Sequence, residues 1–197
     1  MPTFNLLTPP HSVKDGTLSK TPKLLQALAL GIPIVTDKWL LSSAQRGHFL
    51  PLDPFIPSAP TQEREWNFSL AAIWSKPQTS LLAGYTVQFT PTLKASLKRA
   101  FADMESLCKA AGARRVVVKK AGGKEVDGED NTIVLAVDGK DEDADAKALV
   151  ESGRVCFSKD FLTNAVLRGE VDRESEEFRI NVAKAEPAGK KGRKRKS

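Results

Sequence analysis

The sequence predicts an α/β protein of two related units, each a small, mostly parallel sheet flanked by helices, with the first unit incomplete. Three observations carry this reading. Gly31-Ile-Pro-Ile-Val-Thr-Asp-Lys-Trp-Leu40 returns as Gly153-Arg-Val-Cys-Phe-Ser-Lys-Asp-Phe-Leu162, an offset of 122 residues that also brings Arg46-Gly47 onto Arg168-Gly169. Short apolar runs alternate with amphipathic stretches, the pattern of a parallel sheet with crossover helices. A glycine closes each amphipathic stretch, as left-handed helix ends require.

Taken in order, Phe4–Thr8 reads as the third strand of the first unit, matching Thr132–Val137 once a seven-residue length difference is allowed. Nothing before it matches Leu82–Lys119. A complete first unit would need about 45 more residues before Met1, so the chain is expected to begin inside a unit. The alternative is a degenerate half-repeat docked on a full domain. Thr21 as cap and Pro22 in the first turn open a helix that Gly31 closes. Ile32–Val35 suits a buried parallel strand. Thr36 can cap the next helix, whose inner face is read as Trp39, Leu40 and Ala44 and whose stop is Gly47.

Pro51, Pro54, Pro57 and Pro60 stiffen the connection that follows. Within Glu63–Ser75, Trp66, Leu70, Ile73 and Trp74 recur at helical spacing, which predicts a linker helix packed between the units. An ordinary core helix fits equally well.

The second unit is complete. Leu82–Phe89 reads as a strand, and Pro91 and Thr92 open a helix with the stripe Leu97, Phe101, Met104, Cys108 and Ala111, closed by Gly112. Arg115–Lys119 and Thr132–Val137 are further strands, separated by the Gly-rich charged loop Ala121–Asp130. Ala144–Ser152 is a helix, Val155–Phe157 a strand capped onward by Ser158, and Phe161, Leu162 and Val166 line the last helix before Gly169. The boundaries that follow are 1–56 for the partial first unit, 57–80 for the linker, 81–180 for the complete unit and 181–197 for a tail.

Charge separates the body from that tail. The chain has 197 residues and a net charge of +6. Lys184, Lys190, Lys191, Arg193, Lys194, Arg195 and Lys196 against the single acid Glu186 hold all of it, so bases and acids balance in residues 1–183. The body is therefore not read as a nucleic-acid binder on charge. No apolar run reaches the eighteen or so residues of a spanning helix, and no secretory signal opens the chain, so no membrane association is expected. Cys108 and Cys156 fall on apolar positions and read as core residues, not nucleophiles. His11 and His48 stand in no triad or metal spacing, no Gly-rich phosphate loop occurs, and Asp141–Asp145 reads as a solvated helix start. No enzyme activity and no cofactor are expected.

Lys20-Thr21-Pro22-Lys23, then Gly31-Ile32-Pro33-Ile34-Val35 and Trp39, resemble the second half of a BRCT domain, whose pattern is a basic residue, Thr, any residue, Lys, an apolar helix, Gly, an apolar strand and Trp. The second unit resembles a whole BRCT domain with Phe161 at the Trp position. Ala27–Val35, Gly47–Pro51 and the Trp-containing linker are most similar to the C-terminal tandem pair of DNA-damage checkpoint mediator proteins. The resemblance implies recognition of a phosphorylated Ser or Thr in a partner's flexible tail, a histone tail among the candidates. It assigns phosphate to Thr21 and Lys23 and the peptide beyond it to Lys20. The alternatives are a phosphate-independent interaction or dimerisation scaffold, and an appendage of a DNA repair enzyme.

Helix physics agrees with the assignment. A helix N-terminus attracts phosphate, while a first-turn cation does nothing for the helix itself. By themselves the residues also fit a solvated lysine on an amphipathic helix. At the offset of 122, Thr21 and Lys23 become Asp143 and Asp145, so the second unit is expected to repel phosphate there and to form the opposite wall of a groove. Lys190, Lys191, Arg193, Lys194, Arg195 and Lys196 read as a nuclear localisation signal for an import receptor, or as an arm making weak nonspecific DNA contacts. The expected compartment is the nucleus.

Overall fold

The computed structural model describes residues 10–14, 18–123, 131–138 and 143–180. The basic tail and Phe4–Thr8 lie outside the described residues.

The first unit comprises β1 (His11–Val13), α1 (Pro22–Leu30), β2 (Ile34–Thr36) and α2 (Lys38–Arg46). β1 runs parallel to β2, with His11 opposite Ile34. Among the described residues, the strand that pairs with β2 is His11–Val13. The seven-residue length difference shrinks to one: Val134 lies opposite Cys156 in the second unit, and Cys156 is Ile34 at the offset of 122.

The second unit is β3 (Thr86–Phe89), α5 (Pro91–Leu97), α6 (Ala100–Ala110), β4 (Arg115–Val118), β5 (Thr132–Ala136), α7 (Ala144–Glu151), β6 (Cys156–Ser158) and α8 (Asp160–Arg168). Its four strands are all parallel in the order β4-β3-β5-β6. β3 is shorter than its apolar run implies, because Leu82–Gly84 form a turn in which the Tyr85 amide bonds back to the Leu82 carbonyl. The helix expected across residues 91–112 is two helices, broken at Lys98, whose φ is 51°. After α8 the chain returns to β6, where the Ile180 amide donates to Cys156.

The linker docks as expected but not as one helix. Between the units lie α3 (Pro60–Glu65) and α4 (Leu70–Ile73), interrupted at Asn67 with φ 51°. The Glu63 carboxylate bridges the break by accepting from the Leu70 amide at 2.7 Å. Leu70 and Ile73 are buried, and the Trp74 indole donates to the Ile34 carbonyl at 2.8 Å, tying the linker to β2.

Two further expectations are corrected. Thr36 and Ser158 end strands and cap nothing; Asp37 and Lys159 occupy the cap positions of α2 and α8 without side-chain hydrogen bonds. On α2, Trp39 is buried, stacks on Phe49 at 5.4 Å and donates to the Leu50 carbonyl, but Leu40 and Ala44 face solvent.

One apolar core joins the units. α1 packs against both α6 and α8, and Leu24, Leu28, Leu70, Ile73, Phe89, Leu107, Phe161 and Leu162 are continuous within it. Gly31 shows how closely the linker seats. A β-carbon there would lie 2.5 Å from the Pro77 nitrogen, and its φ of 69° is left-handed. Both cysteines are core residues: burial pushes the Cys108 thiol up to about 12 and the Cys156 thiol up to about 11. Neither is a thiolate near neutrality. No helix among the described residues is long and apolar enough to cross a membrane.

Candidate functional site

Thr21 starts α1 with an extended backbone (φ −77°, ψ 150°), and its hydroxyl oxygen accepts the Leu24 amide at 3.2 Å. Pro22 brings no N–H. The Lys23 amide and the Thr21 hydroxyl hydrogen are then the first-turn donors suited to an external acceptor. Thr21 and Lys23 are both exposed, and no acid occupies that turn. The half-buried His11 of β1 lies close enough for Lys23 to reinforce the downward push that burial exerts on its pKa. The site thus has a helix start, a hydroxyl and an ammonium, with the His11 imidazole of β1 within electrostatic reach of that ammonium.

Lys20 has a more engaged position. Its ammonium lies 3.4 Å from the Asn164 side-chain oxygen of α8 and 4.9 Å above the Trp66 ring. Desolvation lowers its pKa, and Asp160 and Glu65 partly offset that. Lys20 thereby links the first unit to the linker and to the second unit. The structure places it beside Thr21 and Lys23, at the seam between the units.

The matching position in the second unit is built differently. Asp143 caps α7 by accepting the Ala146 amide at 3.0 Å, and it also accepts the Thr90 hydroxyl at 2.5 Å and the Val137 amide at 3.3 Å. It is 5% exposed, so the solvated helix start expected here is instead a buried carboxylate. Thr90 caps α5 in turn through the Leu93 amide. Asp145 accepts the Ala121 amide at 2.8 Å. A carboxylate of the chain itself occupies this position, its oxygens already accepting from Thr90, Val137 and Ala146.

The residues missed in the sequence are Asn164, Thr90 and His11. Thr90 carried a signal: Thr90-Pro91 repeats the cap-plus-proline pattern of Thr21-Pro22. Asn164 carried none, because its partner lies 144 residues away.

The Brc1 BRCT5–BRCT6 domains of S. pombe superpose with a TM-score of 0.66, over 82% of this chain and 79% of that one, at 18% identity. The fold is a tandem BRCT fold. Rtt107p matches at a TM-score of 0.56, over 87% of this chain and 75% of that one, at 10% identity. A complex of Rtt107p with a phosphorylated histone matches at 0.55, over 87% and 76%, at 11% identity. In sequence, the human mediator of DNA damage checkpoint protein 1 is 40% identical over 82 residues, and the mouse protein 38%. That segment is 41% of this chain but only 4% of the human protein's length. No family profile matches the chain. Within the tandem BRCT fold, α1 supplies the Thr-x-Lys segment, and α6 and α8 are the second-repeat helices packed against it.

Proposed function

We propose that the chain is a phosphopeptide-recognition module of DNA-damage checkpoint signalling, and that its first repeat reads a phosphorylated Ser or Thr in a partner's extended tail. The observation that carries this reading is the open, acid-free start of α1, where Thr21 and Lys23 present donors to solvent. Phosphate there meets a partial positive helix end, a hydroxyl and a full ammonium charge, with charge-assisted hydrogen bonds available to each oxygen. Lys20, held at the seam by Asn164 and Trp66, faces the peptide leaving the phosphate. The similarity to the human mediator protein supports the checkpoint setting, and the Rtt107p complex pairs that protein with a phosphorylated histone. A histone tail is accordingly the first partner to try.

Fluorescence anisotropy of a labelled phosphoserine peptide and its unphosphorylated twin tests the reading. The phosphopeptide binds and the twin does not; Lys23→Glu weakens phosphopeptide binding more than about tenfold. Equal affinity for the two peptides defeats the proposal.

A second reading, a phosphate-independent interaction module, is favoured by the apolar side chains Leu40, Leu41 and Phe49 exposed on and after α2. Lys23→Glu leaves that activity intact. We assign nuclear import to Lys190, Lys191, Arg193, Lys194, Arg195 and Lys196; deleting residues 189–197 removes nuclear accumulation and spares peptide binding. Unchanged localisation transfers that segment to polyanion contact.

A further inference from the structure

The second sheet has a cleft on the face turned away from the first repeat. Val87 and Phe89 of β3, and Ile133 and Leu135 of β5, point into the joint core. Side chains alternate across a sheet, so Thr86, Gln88 and Thr132 point to the opposite face. There α7 covers one side: Ala146 and Leu149 cluster with Val134, Ala136 and Cys156 of β5 and β6. Over β3 the face opens into a cleft lined by Thr86, Gln88, Lys119, Lys120, Thr132 and Arg154, among others.

Gln88 is the residue that packing does not explain. It stands mid-sheet, opposite Val117 of β4 and Val134 of β5. It is 5% exposed and lines the cleft. Its side-chain amide makes no hydrogen bond among the described residues, whereas Thr86 and Thr132 on the same floor have partners. A buried amide without a partner destabilises a fold, and an aliphatic side chain would continue the valine row without that cost. Gln88 thus keeps a donor and an acceptor turned to the cleft.

The rim is cationic. Lys119, Lys120 and Arg154 contribute charge, and the described lining holds no acid. These residues lie in a turn and a loop, not at a helix start. The turn closes through the Gly123 amide on the Lys120 carbonyl, with Gly122 at φ 73°, and the Ala121 amide ties it to the Asp145 carboxylate of α7 at 2.8 Å. Lys119 and Arg154 have further contacts of their own, and Lys120 is exposed. The cleft measures about 20 Å³. One water needs about 10–15 Å³, so the space takes the inner oxygens of one small anion whose remaining substituent points out through the mouth. A protonated phosphate oxygen can donate to the Gln88 carbonyl while its neighbours accept from the amide and the ammonium groups; sulfate and carboxylate only accept. We propose that this cleft is a second anion site, separate from the head of α1, that takes a phosphate group, free or as a small monoester, with Gln88 on the floor and Lys120 at the rim.

The test is a ¹H–¹⁵N titration of the whole 197-residue chain carrying Lys23→Glu, which silences the head of α1. The probes are inorganic phosphate, methyl phosphate, sulfate and, at matched ionic strength, sodium chloride. The Gln88 side-chain NH₂ pair moves saturably with inorganic phosphate, less with sulfate and not with chloride. Lys120→Glu weakens that binding at least about fivefold. Gln88→Leu abolishes the saturable shifts of the Lys120 and Gly123 amides and melts no lower than the parent, so its loss of binding is not a loss of folding. Methyl phosphate binding as tightly as phosphate upholds the site as one for esters; methyl phosphate failing where phosphate binds upholds it as one for the free ion. A Gln88 pair that stays still, or moves equally with chloride, overturns the proposal. So does a Gln88→Leu chain that melts well below the parent, since the amide then has a structural purpose.

Discussion

The two repeats share a register and differ in what fills it. At one helix start the first repeat has Thr21 and Lys23, exposed and without a carboxylate in the turn. At the same place the second repeat has Asp143, buried and holding the Thr90 hydroxyl and two amides. One unit leaves its helix start open to solvent; the other fills the matching position with a carboxylate of its own chain. The last helices diverge in the same way. Leu40 of α2 is 58% exposed, whereas its counterpart Leu162 of α8 is 1% exposed, because α8 packs into the joint core with α1. An equivalent sequence position thus takes its burial from its neighbours and not from the local pattern.

The largest expected effect tests that last point. Leu162→Ala removes a fully enclosed side chain and lowers stability by about 3 to 4 kcal/mol. Leu40→Ala changes it by less than about 0.5 kcal/mol. Urea unfolding of both variants measures the contrast, and similar losses would show that α2 is covered after all. Asp143→Ala comes next. It strands the Thr90 hydroxyl and the Val137 and Ala146 amides, which costs about 2 to 3 kcal/mol. Thr21→Ala, an exposed cap, costs about 1 kcal/mol in the same assay.

How much of this was legible in the sequence depends on the range of the cause. The repeat, the glycine stops and the bounds of β4, β5 and α7 rest on local chemistry, and they stand within a residue or so of where the pattern put them. Thr21 and Lys23 fall at a helix start because Thr followed by Pro is a strong cap signal. The breaks at Asn67 and Lys98 were not legible, since both take positive φ without being glycine. The caps assigned to Thr36 and Ser158 failed because strand pairing extends through both residues. Burial of Asp143 depends on Thr90, 53 residues earlier, and the placing of Lys20 depends on Asn164 in the other repeat. Contacts of that reach leave no periodicity to read.

Thr21→Asp is the direct way to turn the first repeat into the second at this position. Asp caps a helix as well as Thr does, so the melting temperature should hold within about 2 °C. The new carboxylate occupies the phosphate's place and repels it, so phosphopeptide affinity falls more than about tenfold. Calorimetry and anisotropy on one preparation separate the two effects. Undiminished affinity would mean that phosphate is not held at the head of α1.

The smallest expected effect concerns His11, which has no ionisable counterpart: Val134 takes the matching place in the second sheet. Burial, and Lys23 beside it, hold the His11 imidazole below its ordinary value of 6.5. Unfolding releases that restraint. Above about pH 6.5 the ring is neutral in both states and contributes nothing to the balance. As the pH falls below that value, the unfolded chain takes a proton that the folded chain resists, and stability is lost until the folded ring also titrates. His11→Gln removes this loss and leaves stability near pH 8 unchanged, so the melting curves of parent and variant coincide at about pH 8 and separate by about 1 °C near pH 5.5. Lys23→Ala, by taking away the neighbouring charge, gives part of the same relief. Identical acid sensitivity in all three proteins would show that His11 and Lys23 do not share one field.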